Sequence, residues 1–449
     1  MVRFRDLDLR QYWVSATSGF LPDTNPLGRL PDPLYSPWED IVNDLPHLIK
    51  TDSLCDAVDS LPVVSTAKLR TEEEWRRAYL ILGFLSQGYI WSGKEPRKKL
   101  PLSIASPLRN VSLHFKISPC ATFATYCLWN TILRDEGDRA NPSSYSAQIT
   151  FTSSHDEEWF YAISVAIEAQ GAPLIPLALS AIDAVTIRDT STVTSFLEAF
   201  ATCMDRICEI LARLDERLSA DFFCHKLRPF LRGSKNMAGE GLPEGVLYPT
   251  CRCGEGEWVQ FSGGSNAQSS LIQFFDIVLG VKQGCEFFKD MRDYMPGTHR
   301  AFLSLMMEIS NIRDYALSHC PNSAVYRAYN KAVAKLAAFR DAHIRVVARY
   351  VFIPMGKGKS MPISAVPGLN RRTTIKCTGT GGTDIMQFLR ASRDTTKSAC
   401  NGTAQRPVSE VKDIVLTKKG HVAVSETSAI HKGEDKKVAI ESLGLWRSF

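Results

Sequence analysis

The sequence has little of what most catalytic centres are built from. Its nine histidines are scattered, and it contains neither a Cys-x-x-Cys pair nor a close histidine pair, so a zinc site has no foundation. Twelve cysteines occur without the regular pairing of a small secreted scaffold. The close neighbours Cys120/Cys127, Cys203/Cys208 and Cys251/Cys253 are read as reduced thiols of a cytosolic protein. The most apolar run, residues 172–185, is too short to span a bilayer and is broken by Pro176. The opening MVRFRDLDLRQYW has no apolar centre of the kind a signal peptide needs. Charge of one sign is also wanting. The formal net charge of +5 is spread over 449 residues, and only the stretch after Lys397 is locally basic. Neither nucleic acid nor a membrane is an expected partner.

What is present points to helices. A chain of 449 residues is too long for one simple core, so two domains are expected. Apolar residues at 44% and charged residues at 22% are the balance of a globular protein. There is no internal repeat and no alternation of strands with helices, so the fold class is all-α. Helical spacing appears at residues 38–51 and 70–93, the second opening on a Thr71/Glu74 capping box. Further helices are read over 117–135, 156–170, 176–185, 193–219, 222–233, 269–281, 287–295 and 298–308. Residues 101–110 read as a loop with a short helix, and 256–261 as a short strand. The turn-rich stretch 137–148 marks the boundary. It divides a small helical domain, 1–145, from a large one, 146–396. A polar extension follows over 397–449, in which 413–425 could form a hairpin.

One stretch organises the rest. Across residues 324–354, Ala332, Leu336, Phe339, His343, Val346, Val347 and Tyr350 fall on one helical face, and Pro354 can end the helix. His343 stands in the middle of this stripe, where leucine would be ordinary. A buried imidazole needs a partner, either a hydrogen bond or a metal. A lone helical histidine with one open face is how a haem is held from its proximal side. Arg340, one turn earlier, could reach a haem propionate or an internal carboxylate. On residues 156–170, Phe160, Ser164, Ile167 and Glu168 share a face.

Four motifs follow in order: FSGGSNAQSSLIQFFDIVLGV (261–281), MRDYMPGTHRAFL (291–303), the His343 helix, and GTGGTDIMQFLRASRDTT (379–396). Together with PLGRLPDPLYSPWEDIVNDLPHLI near the start, they resemble the indoleamine 2,3-dioxygenase family over roughly residues 19 to 396. The resemblance implies an all-α protein with haem b between a small and a large helical domain. Family members use ferrous haem and O₂ to open the indole ring, usually of L-tryptophan, giving N-formylkynurenine and starting the kynurenine pathway. The hard chemistry is the cofactor's, which accounts for the absence of a carboxylate pair or a nucleophile–base couple.

By the same resemblance His343 is the proximal iron ligand, with Arg340 and Asp276 linking its helix to a neighbour. Phe160 and Ser164 correspond to distal residues. Phe223 and Arg228 match a pair that stacks on the indole and binds the substrate carboxylate, a task that suits a planar guanidinium fork. Gly264 and Ser265 match the segment over the haem edge. Thr380, Gly381 and Gly382 fall in the loop that closes over the amino acid, and the Gly/Lys/Pro-rich connection 355–377 is expected to be mobile. A cytoplasmic monomer is expected, serving NAD biosynthesis or tryptophan removal, its electron donor unspecified.

Two positions depart from the pattern. Phe123 stands where animal members carry tyrosine and Asn266 where they carry alanine, and both bear on the choice between D- and L-tryptophan. Phe123, Cys127 and Asn130 are read as one helical face on the indole pocket. His225, His299 and His319 read as surface or structural. Competing readings are weaker. GGSNA (263–267) approaches a nucleophile elbow, but its last glycine is alanine and no parallel sheet is in prospect. Gly358-Lys359-Ser360 lacks the glycine spacing of a P-loop. The alternative that stands is a haem-binding sensor of the same fold, because binding and turnover use nearly the same residues.

Overall fold

The computed structural model describes residues 3–134, 138–251, 253–284, 286–357 and 385–400. These residues are mainly helical, with two short antiparallel strand pairs among them. Met1–Gln405 gathers into one compact unit, and its apolar side chains make two large cores. Neither core is a continuous stretch of chain. One draws mostly on residues beyond Trp159, while the other joins the N-terminal helices to residues 227–248.

Helix His155–Gly171, called here the Glu168 helix, is the wall between the cores. Trp159, Ile163, Ala166 and Ile167 pack into one core, while Tyr161, Val165 and Ala169 pack into the other. Serving two cores makes a helix apolar almost all round. Ser154 begins it, its hydroxyl accepting from the Asp156 N–H at 3.1 Å. The span His155–Thr186 has the length and hydropathy of a membrane segment, yet 78% of its apolar window is buried inside the fold.

The His343 helix runs over Ala324–Val347 and starts at Ser323, whose hydroxyl caps the Tyr326 N–H. It packs along helix Thr190–Ala212 on one side and helix Ile385–Ser398 on another. Pro354 does not end it. A π-turn over Ala348–Phe352 follows, with the Ile353 N–H reaching back to the Ala348 carbonyl, and Ile353–Lys357 adds a further helical turn. The wider turn gives the Pro354 ring room that an ordinary turn would deny.

Several sequence expectations are corrected. Residues 102–110 are not a loop with a short helix but the first part of the longer helix Leu102–Phe115, which contains Pro107 and buries Ile104, Leu108, Val111 and Phe115. Residues 117–135 are not one helix. A π-turn over Ala124–Leu128 is followed by strand Thr131–Leu133, paired with Tyr145–Ala147. Asn130 causes the break, its amide exchanging two hydrogen bonds with the backbone of Ile149, both at 2.9 Å. It is therefore turned away from the indole pocket. Strand Gly256–Val259 has a partner, Val246–Pro249, in a stretch whose composition reads as loop. Helix Ile385–Ser398 runs through the boundary placed after residue 396.

The cysteines need one correction too. Cys251 and Cys253 are joined in a disulfide, since the tip of the Val246–Val259 hairpin brings their Cα atoms to 5.4 Å. The other cysteines among the described residues form no disulfide.

Candidate functional site

Three of the segments that surround the interior cavities are π-turns. Ala124–Leu128, Phe223–Leu227 and Ala348–Phe352 each insert one residue into a helical turn and so re-aim the side chains around it. They bring Phe123, Tyr126 and Cys127, then Phe223 and Arg228, then Tyr350 and Val351, to the same space. The Glu168 helix, the His343 helix and the segment 264–269 complete the walls. The space consists of two adjoining cavities whose walls share Phe123, Ser164, Ser265, Asn266 and His343.

His343 is the hinge of this arrangement. It faces both cavities and makes no hydrogen bond among the described residues. Desolvation, assisted by the Arg340 charge, pushes its pKa down to about 4. The imidazole is thus neutral at physiological pH, the form in which it can ligate a metal. Arg340 and Asp276 form a bidentate pair, both contacts at 2.8 Å, which ties the His343 helix to helix Ser270–Val278. Arg340 also reaches Thr396 on helix Ile385–Ser398.

On another wall Phe160 and Phe223 lie with ring centroids 5.0 Å apart, and Phe223 meets Tyr350 edge-on at 6.1 Å. The tyrosine hydroxyls here are taken up by the protein, Tyr126 donating to the Phe230 carbonyl and Tyr350 to Asp215. Ser164 donates to the Phe160 carbonyl at 3.3 Å and keeps its lone pairs for other donors. Arg228 is 4% exposed and lines the cavity just past the Phe223 π-turn. A Cβ on Gly264 would lie 2.4 Å from the Tyr126 ring, so only glycine lets the backbone pass there.

Thirteen residues are singled out by sequence, and ten of them meet at or beside these cavities. Phe123, Phe160, Ser164, Phe223, Arg228, Gly264, Ser265, Arg340 and His343 line them, and Asp276 backs Arg340. Thr380, Gly381 and Gly382 lie outside the described residues, as does most of the connection 355–377. His225 is exposed, His319 is half-buried against the Tyr315 carbonyl, and His299 is buried beside Ser270.

Sequence reading passes over a clamp at residues 268 and 269. Gln268 accepts from the Phe123 N–H and donates to the Gly263 carbonyl, both at 2.9 Å. Ser269 donates to Glu168 at 2.5 Å while accepting from the Ile272 N–H. The helical period puts Glu168 on the Ser164 face but says nothing of its partner. A charged residue on an otherwise buried face was the available signal.

These residues fit a haem. The cavities are apolar in most of their lining, and they present one neutral imidazole with no protein partner among the described residues. The helix that carries it is tied to helix Ser270–Val278 by the Arg340–Asp276 pair, which fixes the backbone from which the imidazole projects.

Comparison with known proteins agrees. Residues 8–399 match the family model described as Indoleamine 2,3-dioxygenase. The indoleamine 2,3-dioxygenase qulI of Penicillium citrinum is 56% identical over 404 residues, covering 89% of this chain and 90% of that protein. The indoleamine 2,3-dioxygenase of Saccharomyces cerevisiae is 36% identical, covering 86% of this chain and 92% of its own length. The 6-hydroxytryptophan 2,3-dioxygenase fscD of Fusarium equiseti is 38% identical, covering 86% and 96%. With the neutral imidazole of His343, the cavity it faces and these matches in agreement, the chain is a haem-dependent dioxygenase for O₂ and a tryptophan-like substrate, and it belongs to the indoleamine 2,3-dioxygenase family.

Proposed function

We propose that this chain cleaves the C2–C3 bond of L-tryptophan to give N-formylkynurenine, the opening step of the kynurenine pathway and a source for NAD biosynthesis. Bound haem supplies the activation of O₂, and both oxygen atoms end in the product, so the reaction asks no nucleophile or base of the chain. The chain's own part is to bind and orient. Phe123, Phe160 and Phe223 offer aromatic walls to an indole and keep water out. Ser164 offers an acceptor among them.

The observation that carries the substrate is Arg228. A buried guanidinium in an aromatic cavity suits an amino acid whose carboxylate it can grip through two hydrogen bonds. Arg228→Ala should cost roughly 2–5 kcal/mol in kcat/KM for tryptophan, as loss of one member of a desolvated charge pair does. With tryptamine, which has no carboxylate, the loss should be far smaller. Equal losses with the two substrates would make Arg228 structural. The relative named for 6-hydroxytryptophan gives a specific competitor. A higher kcat/KM for 6-hydroxytryptophan than for tryptophan would replace the substrate named here.

A further inference from the structure

Glu168 is 2% exposed and is one of the residues that line the same cavity as His343 and Arg340. One of its oxygens accepts from Ser269. The other, Oε2, is fully buried and has no hydrogen-bond partner among the described residues. A buried carboxyl oxygen left without a partner is costly, so a ligand that supplies one is the natural explanation. Haem is the ligand this cavity fits, and its strong hydrogen-bonding groups are its two propionates. We propose that Glu168 is a haem-positioning residue whose Oε2 makes a hydrogen bond to a haem propionate.

The chemistry of the pair is consistent. Burial lifts the Glu168 carboxyl to about 7, so near neutrality it can still carry a proton and donate it to a carboxylate. Arg340, the cation in the same wall, is already engaged by Asp276 through two contacts. Glu168 therefore brings a donor where the charged partner is already committed. Ser269 fixes its direction by holding Oε1, and Ser269 is itself held as the cap of helix Ser270–Val278.

The test is the rate at which the holoenzyme gives up haem to excess apomyoglobin. Wild type, Glu168→Gln and Glu168→Met are each loaded either with haem or with an iron porphyrin in which alkyl groups replace both propionates. With haem, Glu168→Met should lose the cofactor about tenfold faster than wild type, the size expected for a hydrogen bond to a charged group. Glu168→Gln should stay within about threefold, because its amide N–H can still donate and its oxygen can still accept from Ser269. With the porphyrin that lacks propionates, wild type and Glu168→Met should release at the same rate. An acceleration of equal size with both porphyrins would show that Glu168 acts only through Ser269, and would overturn the proposal. No acceleration with haem would overturn it as well.

Discussion

Each end of helix His155–Gly171 buries a glutamate, and the protein treats the two differently. At the start Glu157 is fully buried and accepts from the Phe151 N–H, the Thr152 N–H, the Thr152 hydroxyl and the Tyr161 hydroxyl, at 2.5–2.9 Å. At the other end Glu168 accepts from Ser269 and from no other donor among the described residues. Burial raises both carboxyls. At Glu157 four hydrogen bonds pull against it, whereas Glu168 with one is left at about 7. Two histidines differ in the same way. His299, shut in at 2% exposure beside Ser270, belongs to the packing, whereas His343 has no partner among the described residues and opens onto a cavity. A saturated buried group serves the fold, and an unsaturated one at a cavity wall serves a ligand.

The largest expected effect tests the ligand side of this contrast. His343→Ala should lose most tightly held haem while the helices stay folded, since the packing of the His343 helix rests on Ala332, Leu336 and Phe339. Soret absorbance and far-ultraviolet circular dichroism on the same sample check both halves. An unchanged haem content and Soret band would remove His343 from the iron.

The scaffold side is tested by Glu157→Leu. The substitution leaves buried donors without an acceptor, and should cost about 3–5 kcal/mol of stability by analogy with breaking a buried pair. Urea denaturation reads this directly. Haem bound per folded molecule should not change. If haem occupancy falls as stability falls, the two ends of the helix are not separable.

Next in size is a dependence on pH. The carboxyl of Glu168 rises from 4.5 to about 7 in the folded chain, so the folded state binds the proton more tightly than the unfolded one. The stability this contributes is complete below about pH 4.5 and is lost as pH climbs through about 7. At most about 3.5 kcal/mol is involved, since each tenfold gain in proton affinity is worth about 1.4 kcal/mol. Haem-free wild type should therefore lose stability relative to Glu168→Gln over that window. A constant difference between the two would show that Glu168 does not titrate there.

The parts of this arrangement that are legible in the sequence are those a regular period carries. Ala332, Leu336, Phe339 and His343 repeat at helical spacing, and the helix is where the spacing puts it. The three π-turns are not legible. Each adds one residue to a turn inside a run already rich in apolar side chains, so the period loses its meaning at the point where the cavity is shaped. Asn130 has the spacing of a third member of the Phe123 face, but its bonds to Ile149 depend on chain 19 residues away. Glu168 and Ser269 meet across 101 residues, a pairing that no local pattern announces. Thr380, Gly381 and Gly382 rest on the resemblance alone.

The smallest effect concerns a position with no polar atom in its side chain. Phe123 is 4% exposed, lines both cavities, and has its backbone N–H fixed by Gln268. Phe123→Tyr adds one hydroxyl to a wall whose other tyrosines, Tyr126 and Tyr350, already have acceptors. No proton transfer in the proposed reaction depends on that group. Turnover of tryptophan should change by less than about tenfold, or about 1.4 kcal/mol in the barrier. Removing the ring with Phe123→Ala opens space beside the substrate and should cost more, chiefly through looser positioning. Steady-state kinetics on the two variants decide between them. If the hydroxyl raised activity far beyond that roughly tenfold limit, the native pocket would be one that binds haem and substrate well but turns over poorly, and the sensor reading would gain the observation it now lacks.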